Sequence, residues 1–283
     1  MSEDETFAAG DFRAALLQTT STNHMAENIE TVSQMIRDAS AAGADFVMTP
    51  ETVGMMERRT RAVFEKACKE DSDPSLATFR ELAGELGKWL LIGSLAIKLS
   101  DDKLTNRSFL INAQGAVVAR YDKIHMFDVN QPNGESYRES KNYRPGEKAI
   151  VADTPWGMLG MSVCYDLRFP YLYRALAQAG AKMLTVPAAF TRTTGQAHWN
   201  ILLRARAIET GCFVFAPAQC GTHADGRETY GHSLVVAPWG EILADGGDVP
   251  GVIIANIETS RIKEARAAVP SLEHDRKYLG PTV

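Results

Sequence analysis

The sequence predicts an α/β fold built on a mixed β-sheet. Short apolar runs alternate with segments of helical periodicity along the whole chain, an order that is typical of α/β proteins. Two successive strand-like runs, at 107–112 and 117–121, are separated by a turn at Gln114-Gly115. Strands joined this closely pair as an antiparallel hairpin, which a purely parallel sheet does not contain, so we expect a mixed sheet.

The chain is predicted to form one domain over residues 1–283, with a flexible lead at 1–10. Its 283 residues are 45% hydrophobic, which is enough to bury a substantial core. The sequence contains no Pro/Ser-rich linker, low-complexity tract or internal repeat that would mark a boundary between domains.

The first half of the chain begins with an apolar run at 12–18, which predicts a strand. The polar cluster at 21–23, followed by Glu27, predicts the capped start of a helix that runs to about residue 42. The same patterns predict a helix at 74–86 and further strands at 46–49, 89–97, 107–112 and 117–121.

The second half returns to the order strand, helix, strand, helix. It predicts strands at 158–163, 182–186, 213–218, 233–237 and 252–256, and helices at 170–179, 196–209 and from about residue 260. Between the two halves, the polar segment 126–145 shows neither period and is predicted to be a loop. A loop of this length within a domain is usually functional or disordered.

Composition excludes several classes of function. The net charge of -5 gives no basic surface for nucleic acid. The acidic start lacks a secretory signal, and no apolar run is as long as a membrane span. Four cysteines in a chain of this length indicate free thiols in a reducing compartment, so we expect a cytoplasmic protein. The cysteines and histidines show no metal-binding spacing, and we predict neither a metal nor a cofactor.

Cys164 is the first candidate for catalysis. A predicted strand ends at this residue, and a helix is predicted to open a few residues later. Backbone N–H groups and the positive end of a helix dipole at such a position favour a thiolate. A strand, a turn and a helix also form the nucleophile elbow of other hydrolases. The alternative is that Cys164 is a small buried apolar residue, as free cysteines usually are.

Glu51 and Lys123 occupy similar positions. Each directly follows a predicted strand, where side chains from separate segments can converge on one crevice. Taken singly, each is more simply interpreted as an exposed loop residue. Together with Cys164 they make three such residues at strand ends, which favours a shared site.

Three segments resemble the signature segments of the nitrilase, or carbon-nitrogen hydrolase, superfamily. They are Pro50-Glu51, Tyr121-Asp-Lys-Ile-His125 and Cys164-Tyr-Asp-Leu-Arg-Phe-Pro170. The resemblance continues over almost the whole chain, through Pro187-Ala-Ala-Phe190, Thr194-Gly-Gln-Ala-His-Trp199, Leu203-Arg-Ala-Arg-Ala-Ile-Glu209 and Tyr230-Gly-His-Ser233 to Pro238-Trp-Gly240. It implies a four-layer α-β-β-α sandwich with two mixed sheets, and a homodimer or larger homo-oligomer.

The same resemblance implies that Glu51, Lys123 and Cys164 form a Glu-Lys-Cys triad. The family often carries a second glutamate after the lysine, and Glu139 matches its place better than Glu135 does. In this mechanism Glu51 is the base, Cys164 the nucleophile and Lys123 an oxyanion stabiliser. Glu139 is expected to orient Lys123 or the substrate.

Three more residues are candidates for binding the substrate. The backbone N–H of Tyr165 is expected to join Lys123 at the oxyanion. Arg168, four residues after the nucleophile, is expected to clamp a substrate carboxylate, or else to pair with Asp166 or another acid. Phe190 follows an apolar strand and is expected to close the pocket or to fill the core.

The pair Tyr165-Asp166 indicates an amide substrate, because relatives that cleave nitriles typically have Trp after the cysteine. The segments 202–212 and 218–221 resemble the deaminated glutathione amidase branch, whose small-molecule substrate carries a carboxylate. The omega-amidases, which cleave 2-oxoglutaramate, are the alternative. Tyr171 departs from the Glu that many members have after the Phe-Pro pair, which weakens the assignment of substrate.

Two interpretations from other classes remain open. One is an inert interaction protein that keeps the nitrilase fold, an interpretation that the intact Glu51, Lys123 and Cys164 oppose. A papain-like Cys-His hydrolase is the other, and it requires that one histidine be essential for activity.

Overall fold

The computed structural model describes residues 10–132 and 134–281. The predicted flexible lead at 1–10 lies outside the described residues, except for Gly10. Within the described ranges the helices are α1 (Met25–Ala41), α2 (Thr60–Lys66), α3 (Pro74–Leu86), α4 (Pro170–Gln178), α5 (Arg192–Thr210) and α6 (Ser260–Ala268). Short 3-10 helices cover Glu70–Ser72, Glu139–Lys141 and Cys164–Arg168. No helix in these ranges is long and apolar enough to cross a membrane.

In the described part of the chain, the strands form two large sheets and two small hairpins. In chain order the strands are β1 (Phe12–Gln18), β2 (Phe46–Met48), β3 (Trp89–Lys98), β4 (Leu104–Ile111), β5 (Val117–Asp122), β6 (Asp128–Asn130), β7 (Ser136–Arg138), β8 (Ile150–Thr154), β9 (Gly157–Met161), β10 (Met183–Thr185), β11 (Phe213–Ala216), β12 (Cys220–Thr222), β13 (Glu228–Tyr230), β14 (Leu234–Val236), β15 (Ile242–Asp245) and β16 (Gly251–Ile257).

Each large sheet has six strands and is mixed, as the sequence predicts. The first has the order β16-β1-β2-β3-β4-β5, and the second has the order β15-β14-β11-β10-β9-β8. The strands β1, β2 and β3 are parallel, as are β9, β10 and β11. Antiparallel strands flank both parallel sets, including the predicted pair β4 and β5.

The two sheets pack face to face, and helices cover their outer faces. Alternation along β1 shows this directly. Phe12, Ala14 and Leu16 belong to the core between the sheets, whereas Ala15 and Leu17 pack with residues of α1 and α3. The helices α4 and α5 cover the second sheet with Leu172, Leu176, Trp199 and Leu203. The expected four-layer α-β-β-α sandwich is therefore confirmed.

Some elements differ from the sequence predictions. The helix α1 begins after His24, and the hydroxyl of Thr22 bonds to Glu27 instead of capping the helix. The helix α2 was not predicted, because Val63 is its only buried residue. The edge strands β8 and β15 were also missed, since they are short and only partly buried.

The segment 126–145 contains regular structure, so the loop prediction is wrong for part of it. The strands β6 and β7 pair as a hairpin, and the 3-10 helix Glu139–Lys141 follows it. Two strands of three residues each are too short to produce a measurable hydrophobic period. The hairpin places Glu139 at the edge of the two large sheets.

Candidate active site

The candidate site lies where the ends of strands from the two sheets meet. Glu51 follows β2 and Lys123 follows β5, both in the first sheet. Cys164 follows β9 of the second sheet. The sequence prediction that these three residues converge agrees with their positions in the structure, since Glu51 contacts both of the others. The parallel strands of both sheets end at this edge, which explains how distant segments meet there.

The carboxylate of Glu51 is buried and accepts three hydrogen bonds from described residues. Its Oε1 accepts from Lys123 Nζ at 2.9 Å and from Asn106 Nδ2 at 2.9 Å. Its Oε2 accepts from the backbone N–H of Ala189 at 2.8 Å. The thiol of Cys164 lies next to this carboxylate, whose charge acts on it. Donors from both sheets therefore fix its position next to the thiol.

Lys123 lies between two carboxylates. Its Nζ is 2.9 Å from Glu51 Oε1 and 2.9 Å from Glu139 Oε2, and its side chain is only 2% exposed. Glu139 is held by Asn106 Nδ2 at 3.1 Å and by the backbone N–H of Phe127 at 2.7 Å. The structure thus brings Glu139, the better of the two predicted second glutamates, into contact with the lysine.

Cys164 has a strained backbone conformation. Its φ of 50° is in the left-handed region, which an L-residue other than glycine enters at a cost of about 1–2 kcal/mol. Its own N–H donates to the carbonyl oxygen of Pro187 at 2.9 Å. The strand before it ends at Met161, two residues earlier than predicted, and the helix that opens at Cys164 is a 3-10 turn. The strained turn presents the thiol to the cavity.

The charges of the cluster define its resting state. Burial acts to raise the pKa of Glu51, but Lys123 and the donors around the carboxylate outweigh it, so this pKa lies below 4.5. Burial acts to lower the pKa of Lys123, and the charges of Glu139 and Glu51 raise it well above 10.5. At neutral pH the pair is therefore a carboxylate and an ammonium.

Burial raises the pKa of the Cys164 thiol well above 9.0, and the negative charge of Glu51 adds to this shift. Backbone donors favour a thiolate at this position, as expected from the sequence, but burial and the charge of Glu51 outweigh them in the resting protein. Instead, a neutral thiol lies beside an ionised carboxylate, which is the arrangement that a general base requires.

A cavity of about 300 Å³ opens above this cluster. Its wall contains every residue predicted for the site except Arg168, namely Glu51, Lys123, Glu139, Cys164, Tyr165 and Phe190. Phe190 is 4% exposed and packs on Trp199, so it closes the pocket and fills the core at once.

Arg168 is not among the described residues that line the cavity. Its guanidinium carbon lies 5.2 Å from the ring centre of Phe190 and 5.9 Å from that of Tyr165. Its Nη1 is 3.3 Å from Nδ1 of His198. Arg168 therefore packs against two residues of the cavity wall. Its predicted role as a clamp for a substrate carboxylate stays a prediction.

Sequence reasoning missed several residues of the wall. Asn106 lies inside β4. Nothing in the alternation of polar and apolar residues along this strand indicates that its side chain bridges two glutamates. Tyr143 and Arg227 also line the cavity. Ala189 contributes only its backbone N–H, which no side-chain pattern reveals, although it lies in a segment that carries the family resemblance.

The described part of the chain contains no cluster of His, Cys, Asp and Glu residues that could hold a metal ion. None of its histidines lines the cavity. His125 instead lies 2.6 Å from Asp166 through Nδ1 and 2.6 Å from the Tyr171 hydroxyl through Nε2. The partner of the cysteine in this site is a glutamate, which disfavours the papain-like interpretation.

Known proteins resemble this chain over nearly its whole length. A family model described as carbon-nitrogen hydrolase matches residues 13–267. A deaminated glutathione amidase from Yersinia enterocolitica is 43% identical over 265 residues, covering 93% of this chain and 92% of that protein.

Two solved structures share the fold. The NitFhit protein of C. elegans has a TM-score of 0.88 and 35% identity; the match covers 95% of this chain but only 66% of that one. The amidase from Nesterenkonia sp. AN1, solved as a mutant with acrylamide added to its active site cysteine, has a TM-score of 0.77 and 27% identity, covering 92% of this chain and 98% of that one. Sequence, fold and site geometry agree, and this chain belongs to the carbon-nitrogen hydrolase family.

Proposed function

We propose that this protein is an amidohydrolase that cleaves a carboxamide C–N bond through a thioester on Cys164. One observation carries the proposal: the neutral thiol of Cys164 lies beside the ionised carboxylate of Glu51, which Lys123 holds in place. The Nesterenkonia amidase, with its active site cysteine, supports a cysteine nucleophile in this fold.

The first half of the reaction forms the thioester. Glu51 takes the proton of the Cys164 thiol as its sulfur attacks the carbonyl carbon of the amide. The Lys123 ammonium and the backbone N–H of Tyr165 stabilise the negative oxygen, and loss of one such donor typically lowers turnover roughly 100- to 1,000-fold. Glu51 then gives the proton to the amine as the C–N bond breaks.

The second half releases the acid. Glu51 accepts a proton from a water molecule, whose oxygen attacks the thioester carbon. The C–S bond breaks and the sulfur recovers its proton from Glu51. Glu139 contacts no reacting atom in this scheme. It keeps Lys123 charged and oriented through the contact at 2.9 Å.

The proposed substrate is deaminated glutathione, hydrolysed to 2-oxoglutarate and Cys-Gly as a repair of a damaged metabolite. The name of the Yersinia enterocolitica relative supports it. The cavity of about 300 Å³ is at the lower end of the range for small-molecule sites, which is roughly 300–1,000 Å³. The alternative is an omega-amidase acting on 2-oxoglutaramate, which would share the acyl part of the substrate.

Steady-state kinetics on deaminated glutathione, 2-oxoglutaramate, a simple nitrile and an N-carbamoyl amino acid test this proposal. We expect the highest kcat/KM on deaminated glutathione, and a highest value on 2-oxoglutaramate would favour the omega-amidase. Cys164→Ala should abolish hydrolysis, whereas the control Cys68→Ala, which removes a free thiol outside the cavity, should keep it. A Cys164→Ala protein as active as the wild type would reject Cys164 as the nucleophile, and a wild type without activity on any amide would favour the inert interaction protein.

We also infer that the protein is a homodimer or a larger homo-oligomer. On α5, Ile201 is 68% exposed and Ile208 is 54% exposed, and their spacing of seven places them on one helix face. Ile208 lies against Gly240, next to Trp239, which is 57% exposed. Contiguous exposed apolar surface of this kind is typical of an interface. Light scattering measures the mass, and Ile208→Glu should lower it.

A cytoplasmic location is the remaining part of the proposal. All four cysteines are free thiols, and three of them, Cys164, Cys212 and Cys220, are buried. Proteins of oxidising compartments usually pair such residues in disulfides, so this usage supports a reducing compartment.

A further inference from the structure

The cavity carries a pattern of charge that the triad does not explain. At its base Glu51 and Glu139 face the single cation Lys123, which leaves a net negative charge beside the neutral thiol. A substrate that carries a carboxylate would be repelled there. The rest of the wall, however, contains the cations Arg58, Arg138, Lys141 and Arg227.

These cations differ in how many of their hydrogen-bond donors already have partners within the protein. The guanidinium of Arg138 donates to the carbonyl oxygens of Val129 at 3.0 Å and Tyr137 at 2.6 Å, and to Asn130 Oδ1 at 2.8 Å. It therefore stabilises the hairpin β6-β7. The remaining acid in the wall, Glu57, is held by Arg59 and Lys66.

Arg227 has unused donors. Among the described residues, its buried Nε has no hydrogen-bond partner, and its Nη1 bonds only to the weak acceptor Met56 Sδ, at 3.3 Å. The Oδ2 atom of Asp225 is 3.9 Å from Nη2, too far for a hydrogen bond, while Oδ1 holds the backbone N–H of Arg227 at 3.0 Å. Nε is closed off from the cavity, whereas Nη2 is not closed off and forms no hydrogen bond to a described residue, so it is free to donate to a ligand that supplies an acceptor.

Arg58 lies close to the same place. The guanidinium carbons of Arg227 and Arg58 are 5.7 Å and 5.8 Å from the ring centre of Tyr137, which lines the cavity. The charge of Arg227 also reaches the base of the cavity, since Arg227 and Lys123 both act on the buried hydroxyl of Tyr143. Two cations thus lie over one aromatic ring in the wall of the cavity that contains Cys164.

We propose that Arg227, with Arg58 beside it on Tyr137, is the subsite that binds a carboxylate of the amide substrate. A guanidinium with free donors binds a carboxylate bidentately, which fixes both distance and orientation. The inference rests on the proposed amidohydrolase function and deepens it by naming the residues that select anionic amides. It supplies the carboxylate contact at a position that Arg168 does not occupy.

The test compares charged and neutral amides. In Arg227→Met we expect kcat/KM on deaminated glutathione to fall about 10- to 100-fold, because a hydrogen-bonded ion pair is lost, with kcat/KM on butyramide changed less than about twofold. Arg227→Lys keeps the charge and should recover part of the loss. Lys141→Met is the matched control: it removes an exposed cation of the same wall, and it should lower kcat/KM less than about threefold.

Two further substrates identify which carboxylate is bound. If 2-oxoglutaramate loses as much as deaminated glutathione, Arg227 binds the acyl part. If the loss disappears when the C-terminal carboxylate of deaminated glutathione is converted to an amide, Arg227 binds the leaving peptide. Equal losses on anionic amides and on butyramide, or no loss on either, would overturn the subsite.

The subsite and the catalytic proposal fail in different ways. A wild-type protein that hydrolyses none of these amides would reject the amidohydrolase. In that case, titration calorimetry of deaminated glutathione, which carries both carboxylates, into Cys164→Ala and Cys164→Ala/Arg227→Met still decides the subsite. Equal affinity of the two proteins for deaminated glutathione would reject it, and weaker binding by the double variant would support it.

Discussion

The hydroxyl of Tyr121 donates to Oδ2 of Asp166 at 2.7 Å, and this bond joins the two sheets beside the candidate catalytic cluster. Tyr121 precedes Lys123 by two residues, and Asp166 follows Cys164 by two. The same Oδ2 accepts the backbone N–H of Val163 at 2.9 Å. One buried carboxylate thus ties the end of β5 to the strained turn, and it sets the spacing between the lysine and the thiol.

Removing the hydroxyl in Tyr121→Phe should destabilise the protein by roughly 1–3 kcal/mol, because the buried charge of Asp166 loses a donor. Burial and the charge of Asp166 raise the pKa of Tyr121 well above 10.0, so the hydroxyl is a donor at every pH of interest. Urea unfolding measures the loss. The matched control is Tyr173→Phe, since Tyr173 is equally buried but bonds to the neutral hydroxyl of Ser162 at 2.7 Å. Equal losses in the two variants would contradict the charged role of Asp166.

The pH profile tests which group removes the thiol proton. If Glu51 is the base, kcat/KM should be flat through neutral pH and fall only below pH 4.5, where Glu51 takes up a proton. If a free thiolate were the reactant, the raised pKa of Cys164 would make kcat/KM climb toward high pH. In Glu51→Gln the residual activity should show this climb, about tenfold per pH unit. A flat profile in Glu51→Gln would contradict the proposed base.

The stability of the protein should follow the same group. A carboxyl whose pKa is lowered in the folded state stabilises that state above its unfolded value of 4.5, and this contribution is lost as the pH falls through the folded value. Lys123, whose pKa is raised, contributes fully below 10.5. Between these two pH values, the contribution of Glu51 and Lys123 to the free energy of unfolding should therefore vary little with pH.

Asn106→Asp tests the bridge between the two glutamates. Asn106 Nδ2 donates to Glu51 Oε1 at 2.9 Å and to Glu139 Oε1 at 3.1 Å. An aspartate of the same shape places a third carboxylate beside these two, and like charges at such distances raise the pKa values of their neighbours. We expect the acid limb of kcat/KM to move to higher pH. Asn106→Ala removes the donor without adding a charge, so it should lower the rate with a smaller shift.

The sequence predicts an element or a site residue where a local pattern of residues marks it. It does not predict a residue that reaches the site only through contacts between distant segments. Both boundaries of β1 and of α3 match the prediction, because an apolar run on a strand buried on both faces and a helix with Asp73 as its N-cap give strong local signals. The wall residue Arg227 gave no such signal. It lies beside a short hairpin and reaches the cavity only through the packing of distant segments.

The site residues show the same division. Glu51 was predicted because it ends a buried strand, and Glu139 because of family resemblance. The bridge that Asn106 forms between them depends on the side-chain geometry of β4, which alternation cannot reveal. The local position of Cys164 favours a thiolate, but burial, together with the charge of Glu51 from the other sheet, raises the pKa of the thiol, and only the folded structure reveals this.

Gly93 helps to set the position of Glu51. A Cβ at Gly93 would overlap the carbonyl oxygens of Thr49 and Pro50, the two residues that lead into Glu51. The N–H of Gly93 also donates to Thr49 Oγ1 at 3.0 Å. Only a glycine lets β3 approach this segment so closely.

Gly93→Ala should therefore push the segment away and displace the carboxylate of Glu51. Forced repacking of this kind costs roughly 1–3 kcal/mol of stability, and misplacement of the base by about 1 Å costs on the order of 100-fold in kcat/KM. Gly251→Ala is the matched control, since Gly251 also lies in a strand but has no atom within 4 Å of an added Cβ. A control variant that loses as much activity as Gly93→Ala would mean that the close approach at Thr49 does not position Glu51.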